Sequence, residues 1–169
     1  MKYYPPKSLR ECLIIALLLL PILHAMSDTP PGHLEEALKQ LPNTQRFIEI
    51  LALAPELKHP KQAVPTTWFV PTDAAFEDLP KEQLARLLDR SATTERAAFL
   101  RHHMIPGVIL ETDFPLIHRL KTLLGPDLIV AVNADGVTVN RVGVELPAIV
   151  GEGFRLYLIE RVLIGVGAP

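Results

Sequence analysis

The stretch Thr67 to Pro80, TWFVPTDAAFEDLP, decides the fold of this 169-residue chain. Thr66 to Val70 (TTWFV) is β-branched and aromatic, the composition of a buried strand, and Pro71 has no N–H with which to extend its ladder. Thr72 stands where a short helix needs its cap. Asp73 falls in that helix's first turn, where the dipole favours an anion, and Ala75 and Phe76 supply its buried side. Trp68 and Phe69 read as core rather than as a stacking platform, because they sit inside the strand that feeds this helix.

On the N-terminal side, Leu34, Ala37, Leu38 and Leu41 recur at i, i+3, i+4 and i+7, which predicts an amphipathic helix closed by Pro42. Asn43 stands at the cap of a second helix carrying Phe47, Ile48, Leu51 and Ala54 and ending at Pro55, and the Pro-rich residues 55–65 read as a loop. On the C-terminal side, Leu84, Leu87 and Leu88 repeat the helical spacing. Thr94 to His103 continues as another helix, with Ala98, Phe99 and His102 or His103 on one side. From Met104 the pattern changes to short strands: Ile105, Val108 and Leu110, then Leu128 to Val132, then Val137 and Val139 alternating with Thr138 and Asn140. Asp135 and Gly136 accept the positive φ angles of a type I′ turn, so a hairpin is predicted there. Phe154 to Val166 is apolar on both alternating sides, as a central strand covered on two faces is. Helices mostly in the N-terminal half and mainly antiparallel strands after them predict the α+β class.

Ahead of this pattern, Lys2, Lys7 and Arg10 precede the apolar run Cys12 to Leu23 (CLIIALLLLPIL), and the small Ala25 follows. This predicts a secretory signal peptide over 1–25, a Pro-rich spacer over 26–32 and a single domain over 33–167, secreted or periplasmic and monomeric. The run is shorter than the roughly 17 to 25 residues of a spanning helix. The alternative is an uncleaved signal anchor, and only that reading brings in a membrane. Cys12 opens the run instead of following it, which disfavours a lipoprotein. Beyond it no thiol remains for a disulfide, a thiolate zinc ligand or a nucleophile. The net charge is −2 for the whole chain, and loss of Lys2, Lys7, Arg10 and Glu11 leaves −4. With its basic residues dispersed, the chain is not expected to bind nucleic acid. No Asn-x-Ser/Thr sequon occurs, in keeping with a bacterial envelope origin.

Catalytic constellations are missing from the sequence. Ser27 and Ser91, the serines left beyond the leader, lie in no Gly-x-Ser-x-Gly elbow, and Gly151 and Gly153 (GEG) read as a turn rather than a phosphate cradle. His33, His59, His102, His103 and His118 show no i, i+4 or HExxH spacing, so no metal site is predicted. Of the adjacent pair, one histidine is expected to be buried with its ring nitrogens bonded to backbone and the other solvated. Glu35, Glu36, Asp73, Asp78, Glu145 and Glu152 show no pairing suited to acid and base work. The expectation is therefore no enzyme and no cofactor.

The segment Thr67 to Pro80 resembles the first signature block of the fasciclin domain family, in which a strand ending in Phe-x-Pro-Thr runs into an Asp-x-Ala-Phe helix. Leu100 to Gly107 (LRHHMIPG) is similar to the family's Tyr-His segment, Leu120 to Gly125 (LKTLLG) to its Leu-x-Thr-Leu-x-Gly turn, Val137 to Asn140 (VTVN) to its hairpin strand, and Leu156 to Leu163 (LYLIERVL) to its closing strand. The resemblance spans about residues 34–164. It implies a wedge of mainly antiparallel β-strands flanked by several short helices, and a role in cell adhesion or protein interaction outside the cytoplasm, with a protein or a matrix or envelope component as partner. The signature residues Thr67, Phe69, Pro71, Thr72, Asp73, Ala75, Phe76, His103, Gly125 and Glu160 are expected to be structural, and His102, His103, Ile105, Ile149 and Tyr157 are the positions expected to meet a partner. His102 stands where the family has tyrosine, Tyr157 where it has histidine and Glu160 where it has aspartate. The Asp-Ile pair that recognises receptors in animal members falls near Ala148 and Ile149 without its carboxylate, so integrin binding does not carry over. The alternative from a different class is a carrier for a small apolar ligand held between helices and sheet near Trp68, Phe99 and Tyr157.

Overall fold

The computed structural model describes residues 33–58 and 65–164, so the leader and spacer expected over 1–32 lie outside the described residues, as do residues 59–64 and 165–167 of the expected domain. Within them the chain forms α1 (Leu34–Gln40), α2 (Gln45–Ala52), α3 (Pro55–Lys58), β1 (Thr66–Pro71), α4 (Lys81–Leu88), α5 (Thr93–His102), β2 (Met104–Pro106), β3 (Arg119–Lys121), β4 (Asp127–Asn133), β5 (Gly136–Val139), β6 (Val142–Val144), β7 (Ile149–Gly151) and β8 (Phe154–Ile159). This is the α+β class that the order of helical and strand periodicities predicts, in the wedge that the resemblance implies. The strands run β2-β1-β8-β6-β5-β4-β3 across the sheet, with β7 also on β8. All pairs are antiparallel except β1 and β8, which pair in parallel from Thr66 opposite Phe154 to Pro71 opposite Ile159.

That parallel pair divides the interior in two. β1 is buried at every position, and its alternating side chains feed different cores because successive residues of a strand point to opposite faces. Trp68 and Val70, with Phe154 and Leu156 of β8, pack against Leu38, Phe47, Ile50, Leu51, Phe76 and Leu100 from the helical layer. Phe69, with Tyr157 and Ile159, packs against Ile105, Phe114, Leu128, Val130 and Val139 inside the curl of the sheet. Phe47 meets Trp68 edge-to-face at 6.3 Å on one side, and Phe69 stacks on Tyr157 at 5.9 Å on the other.

Several local expectations change once the chain is folded. The helix predicted after Pro71 is a 3-10 turn, Ala74–Phe76, with no side-chain cap, so neither Thr72 nor Asp73 serves it as expected. Asp73 instead reaches back 27 residues, where its Oδ1 accepts the Arg46 N–H at 2.8 Å and closes the open N-terminus of α2. Asn43 does not cap that helix. It adopts a left-handed φ of 54°, which asparagine tolerates, and its carbonyl accepts the Asp73 N–H. The β4–β5 hairpin forms, but Asn133 pairs with Gly136, leaving Ala134 and Asp135 as its loop. The loop with both φ positive, as a type I′ turn requires, is Asn140–Arg141 between β5 and β6, at 48° and 65°. On α5 the fully buried residues are Arg96, Ala97, Leu100 and His102, with Phe99 only partly buried. Buried Arg96 donates through Nη1 to the Leu87 and Asp89 carbonyls at 3.2 and 2.8 Å, closing the C-terminus of α4.

Candidate interaction surface

The two adjacent histidines differ in their bonding. His103 follows α5 and is fully buried. Its Nδ1 lies 2.8 Å from the Phe99 carbonyl, which can only accept, so Nδ1 carries the proton and Nε2 is left to accept the Leu163 N–H at 3.1 Å. Its own carbonyl accepts the Phe69 N–H, so one residue ties α5, β1 and the C-terminal segment together. Burial pushes its pKa down to about 3, only partly opposed by the Phe99 carbonyl. This is the buried, backbone-bonded histidine of the expected pair. His102 is not the solvated one. It is 3% exposed, packs edge-on against His103 at 6.1 Å, and neither of its ring nitrogens has a hydrogen-bond partner. Burial lowers its pKa as well. The sequence alone left the buried position open between these two neighbours, and both are buried.

The remaining expected positions resolve by strand parity. Ile105, paired with Thr67, and Tyr157 point into the core of the curled sheet. The Tyr157 hydroxyl donates to the Ile109 carbonyl at 2.9 Å, and burial raises its pKa. Ile149 on β7 is partly exposed. A partner meeting the folded surface can therefore touch Ile149, whereas His102, His103, Ile105 and Tyr157 lie beneath it, enclosed by the packing that their apolar neighbours demand. Among the signature residues, Thr67, Phe69, Pro71, Ala75, Phe76 and His103 are buried and Thr72 and Asp73 partly so. Gly125 takes a φ of 119° in the turn where Thr122 accepts its N–H, and Glu160 is exposed, its carboxylate lying over Gly143.

What these buried groups position is the chain that runs over them. Thr67 Oγ1 donates to the Gly107 carbonyl at 2.8 Å and accepts the Ile109 N–H at 2.9 Å. With the Tyr157 bond to Ile109, this pins the start of the loop leaving β2. Asp113 then accepts the Leu110 N–H at 2.8 Å, and Glu111 Oε1 accepts the Ala148 N–H at 3.0 Å, fastening the 3-10 turn Glu111–Leu116 to the segment that leads into β7. Two loops held side by side in this way display Val108, Leu110, Leu116, Leu146 and Val150, all exposed and Leu116 to 80%. The carboxylates here are spent on backbone N–H groups. Among the described residues no three His, Cys, Asp or Glu side chains gather in a group that could hold a metal ion, and no helix is long and apolar enough to cross a membrane.

The three residues expected to line a ligand chamber, Trp68, Phe99 and Tyr157, do not converge. Trp68 and Tyr157 lie on opposite faces of the β1–β8 pair, in separate cores. Clefts of ≈ 160 Å³ between α1 and α2 and of ≈ 400 Å³ beside the Asn140–Arg141 turn are lined by none of the three.

A family model of the fasciclin domain matches residues 39–165. Human stabilin-1 is 36% identical over 80 residues, which are 47% of this chain and 3% of that protein. The solved fasciclin domain pair of the insect cell adhesion molecule fasciclin I superposes with a TM-score of 0.67 at 15% identity, over 80% of this chain and 51% of that one, a likeness of fold. The chain thus spans about half of the matched structure and a small part of the matched human protein.

Proposed function

The chain belongs to the fasciclin domain family, whose members serve cell adhesion and protein interaction, and from that premise we propose a non-catalytic extracytoplasmic module that binds a protein, or a matrix or envelope component, through the loops at residues 107–117 and 145–151. The observation that carries this reading is the Glu111–Ala148 bond, which presents exposed Leu110, Leu116, Leu146 and Val150 on a rigid frame. Loop backbone fastened by such a bond has less entropy to lose on docking, which favours the exposed apolar side chains it carries as contacts. Ile149 borders this surface through its backbone, its side chain packing against the helical core. Tyr157 contributes from below through its bond to the Ile109 carbonyl, whereas His102, His103 and Ile105 pack in the interior. Export by residues 1–25 supplies the location the family's role requires.

The test is capture from cell-envelope or matrix material by the immobilised full chain and by a Leu110→Glu, Leu116→Glu variant, with emission of the buried Trp68 confirming that both are folded. The expected result is a specific partner retained by the first and lost by the second. Recovery of none, or equal retention, counts against the proposal.

A further inference from the structure

At the C-terminal ends of β1 and β8, away from the loop that leaves β2 beside Pro65, lies the ≈ 400 Å³ cleft formed by residues 75–79, 140–142 and 161–164. Its lining is apolar at Leu79, Val142, Val162 and Leu163 and basic at Arg141 and Arg161. The Arg161 Nη2 donates to the Arg141 carbonyl at 2.8 Å, which anchors that guanidinium at the turn while leaving its other N–H groups available. Among the described residues neither arginine is ion-paired with a carboxylate. Asp78 also lines the cleft, and Glu160 rests over Gly143 outside its lining.

Two cations beside an apolar lining are complementary to a single carboxylate flanked by aliphatic groups. A free small molecule is normally buried over most of its surface in its pocket, and this cleft is open to solvent. An extended segment, whose other residues find contacts outside, suits it better. We propose that the cleft binds an acidic residue flanked by aliphatic ones in an extended segment of a protein partner. The carboxylate meets Arg141 and Arg161, and the aliphatic side chains cover Leu79, Val142 and Val162. Asp78 sets the limit at one negative charge, since a second would face it. This surface is separate from the loops at 107–117 and 145–151, so either can fail alone.

The probe is acetyl-Leu-Glu-Leu-amide titrated into the isotope-labelled full chain, observing backbone amides and arginine side-chain N–H signals. Saturable shifts are expected at Arg141, Val142, Arg161 and Val162, with the Leu-Gln-Leu peptide binding about tenfold more weakly because it loses the charge-assisted bonds. Arg161→Gln should weaken the acidic peptide by about the same factor. Arg141→Gly should do likewise, and it keeps the fold because glycine accepts the 65° φ at that position. Asp78→Asn should tighten it and allow a Glu-Glu peptide to bind. Absence of saturable shifts at millimolar peptide, shifts centred elsewhere, equal affinity for the glutamine peptide, or octanoate binding as tightly as the acidic peptide would each overturn the proposal.

Discussion

Acidification should destabilise this protein through His103, and the size of the effect follows from the burial of its ring. The ring is neutral in the folded state because Nδ1–H is committed to the Phe99 carbonyl and Nε2 must accept the Leu163 N–H. A proton on Nε2 would set two donors against each other in a site with no water-facing surface. Burial holds the folded pKa at about 3 against the opposing bond to the Phe99 carbonyl, whereas an unfolded histidine titrates near 6.5. Between those values only the unfolded state takes up the proton. The stability tied to this group is thus complete above about pH 6.5 and falls by about 1.4 kcal/mol for each unit of pH below it, down to the folded value. From pH 6.5 to 4.5 the loss is about 2 to 3 kcal/mol, and His102, lowered by burial in the same direction, adds to it. Urea unfolding followed by the emission of Trp68, the one tryptophan and 2% exposed, measures this directly. His103→Gln should start less stable yet show a shallower slope with pH. Should that variant fail to fold, the nitrogen shifts of the wild-type imidazole, read against pH, give the same answer: the Nδ1–H tautomer persists to about pH 4. A wild-type stability that is flat from pH 6.5 to 4.5, or an imidazole that titrates near 6.5 while folded, refutes the reasoning.

Three substitutions probe the frame. Asp73→Ala should cost about 1 kcal/mol by leaving the Arg46 N–H open at the start of α2, with the loss read as a lower urea midpoint and faster amide exchange in α2 rather than in the 3-10 turn beside Asp73. Phe76→Ala should cost about 3 to 5 kcal/mol, because its ring is buried in the helical core beside Phe99, and a midpoint shift within error would contradict that placement. Gly151→Ala should cost about 1 to 3 kcal/mol in thermal unfolding, since a Cβ there overlaps the Phe154 ring that covers it, and pairing it with Phe154→Ala should remove most of the added cost if the overlap is the cause.

The sequence made some of this architecture legible for specific physical reasons. β1 was readable because Thr66 to Val70 combines β-branched and aromatic residues up to a proline, and β8 because its run is apolar in both parities, although the strand stops at Ile159 rather than continuing to Val166. The alternation of Val137, Thr138 and Val139 likewise appears as buried, half-buried and buried. The parallel pairing of β1 with β8 had no local signature, since its partners lie some ninety residues apart and a doubly buried strand reads the same with either neighbour direction. Asp73 reads locally as an anion for the helix that follows it, yet it closes α2, because a side chain can cap whichever N-terminus the fold brings near. The left-handed conformation of Arg141 has no local signature for a related reason: a tight hairpin imposes it even on a residue that does not favour it. Of the candidate surface, the sequence offered only the β7 position Ile149 at its border. The loops that surround it become one face only through the bonds of Glu111, Tyr157 and Thr67 to distant backbone.

Hydrogen exchange on the captured complex is the most direct test of binding through that face. With the partner bound, the amides of residues 107–117 and 145–151 should exchange more slowly than in the free protein, and those on the outer side of β4 should be unchanged. A bound partner that leaves both loops unprotected would contradict the account.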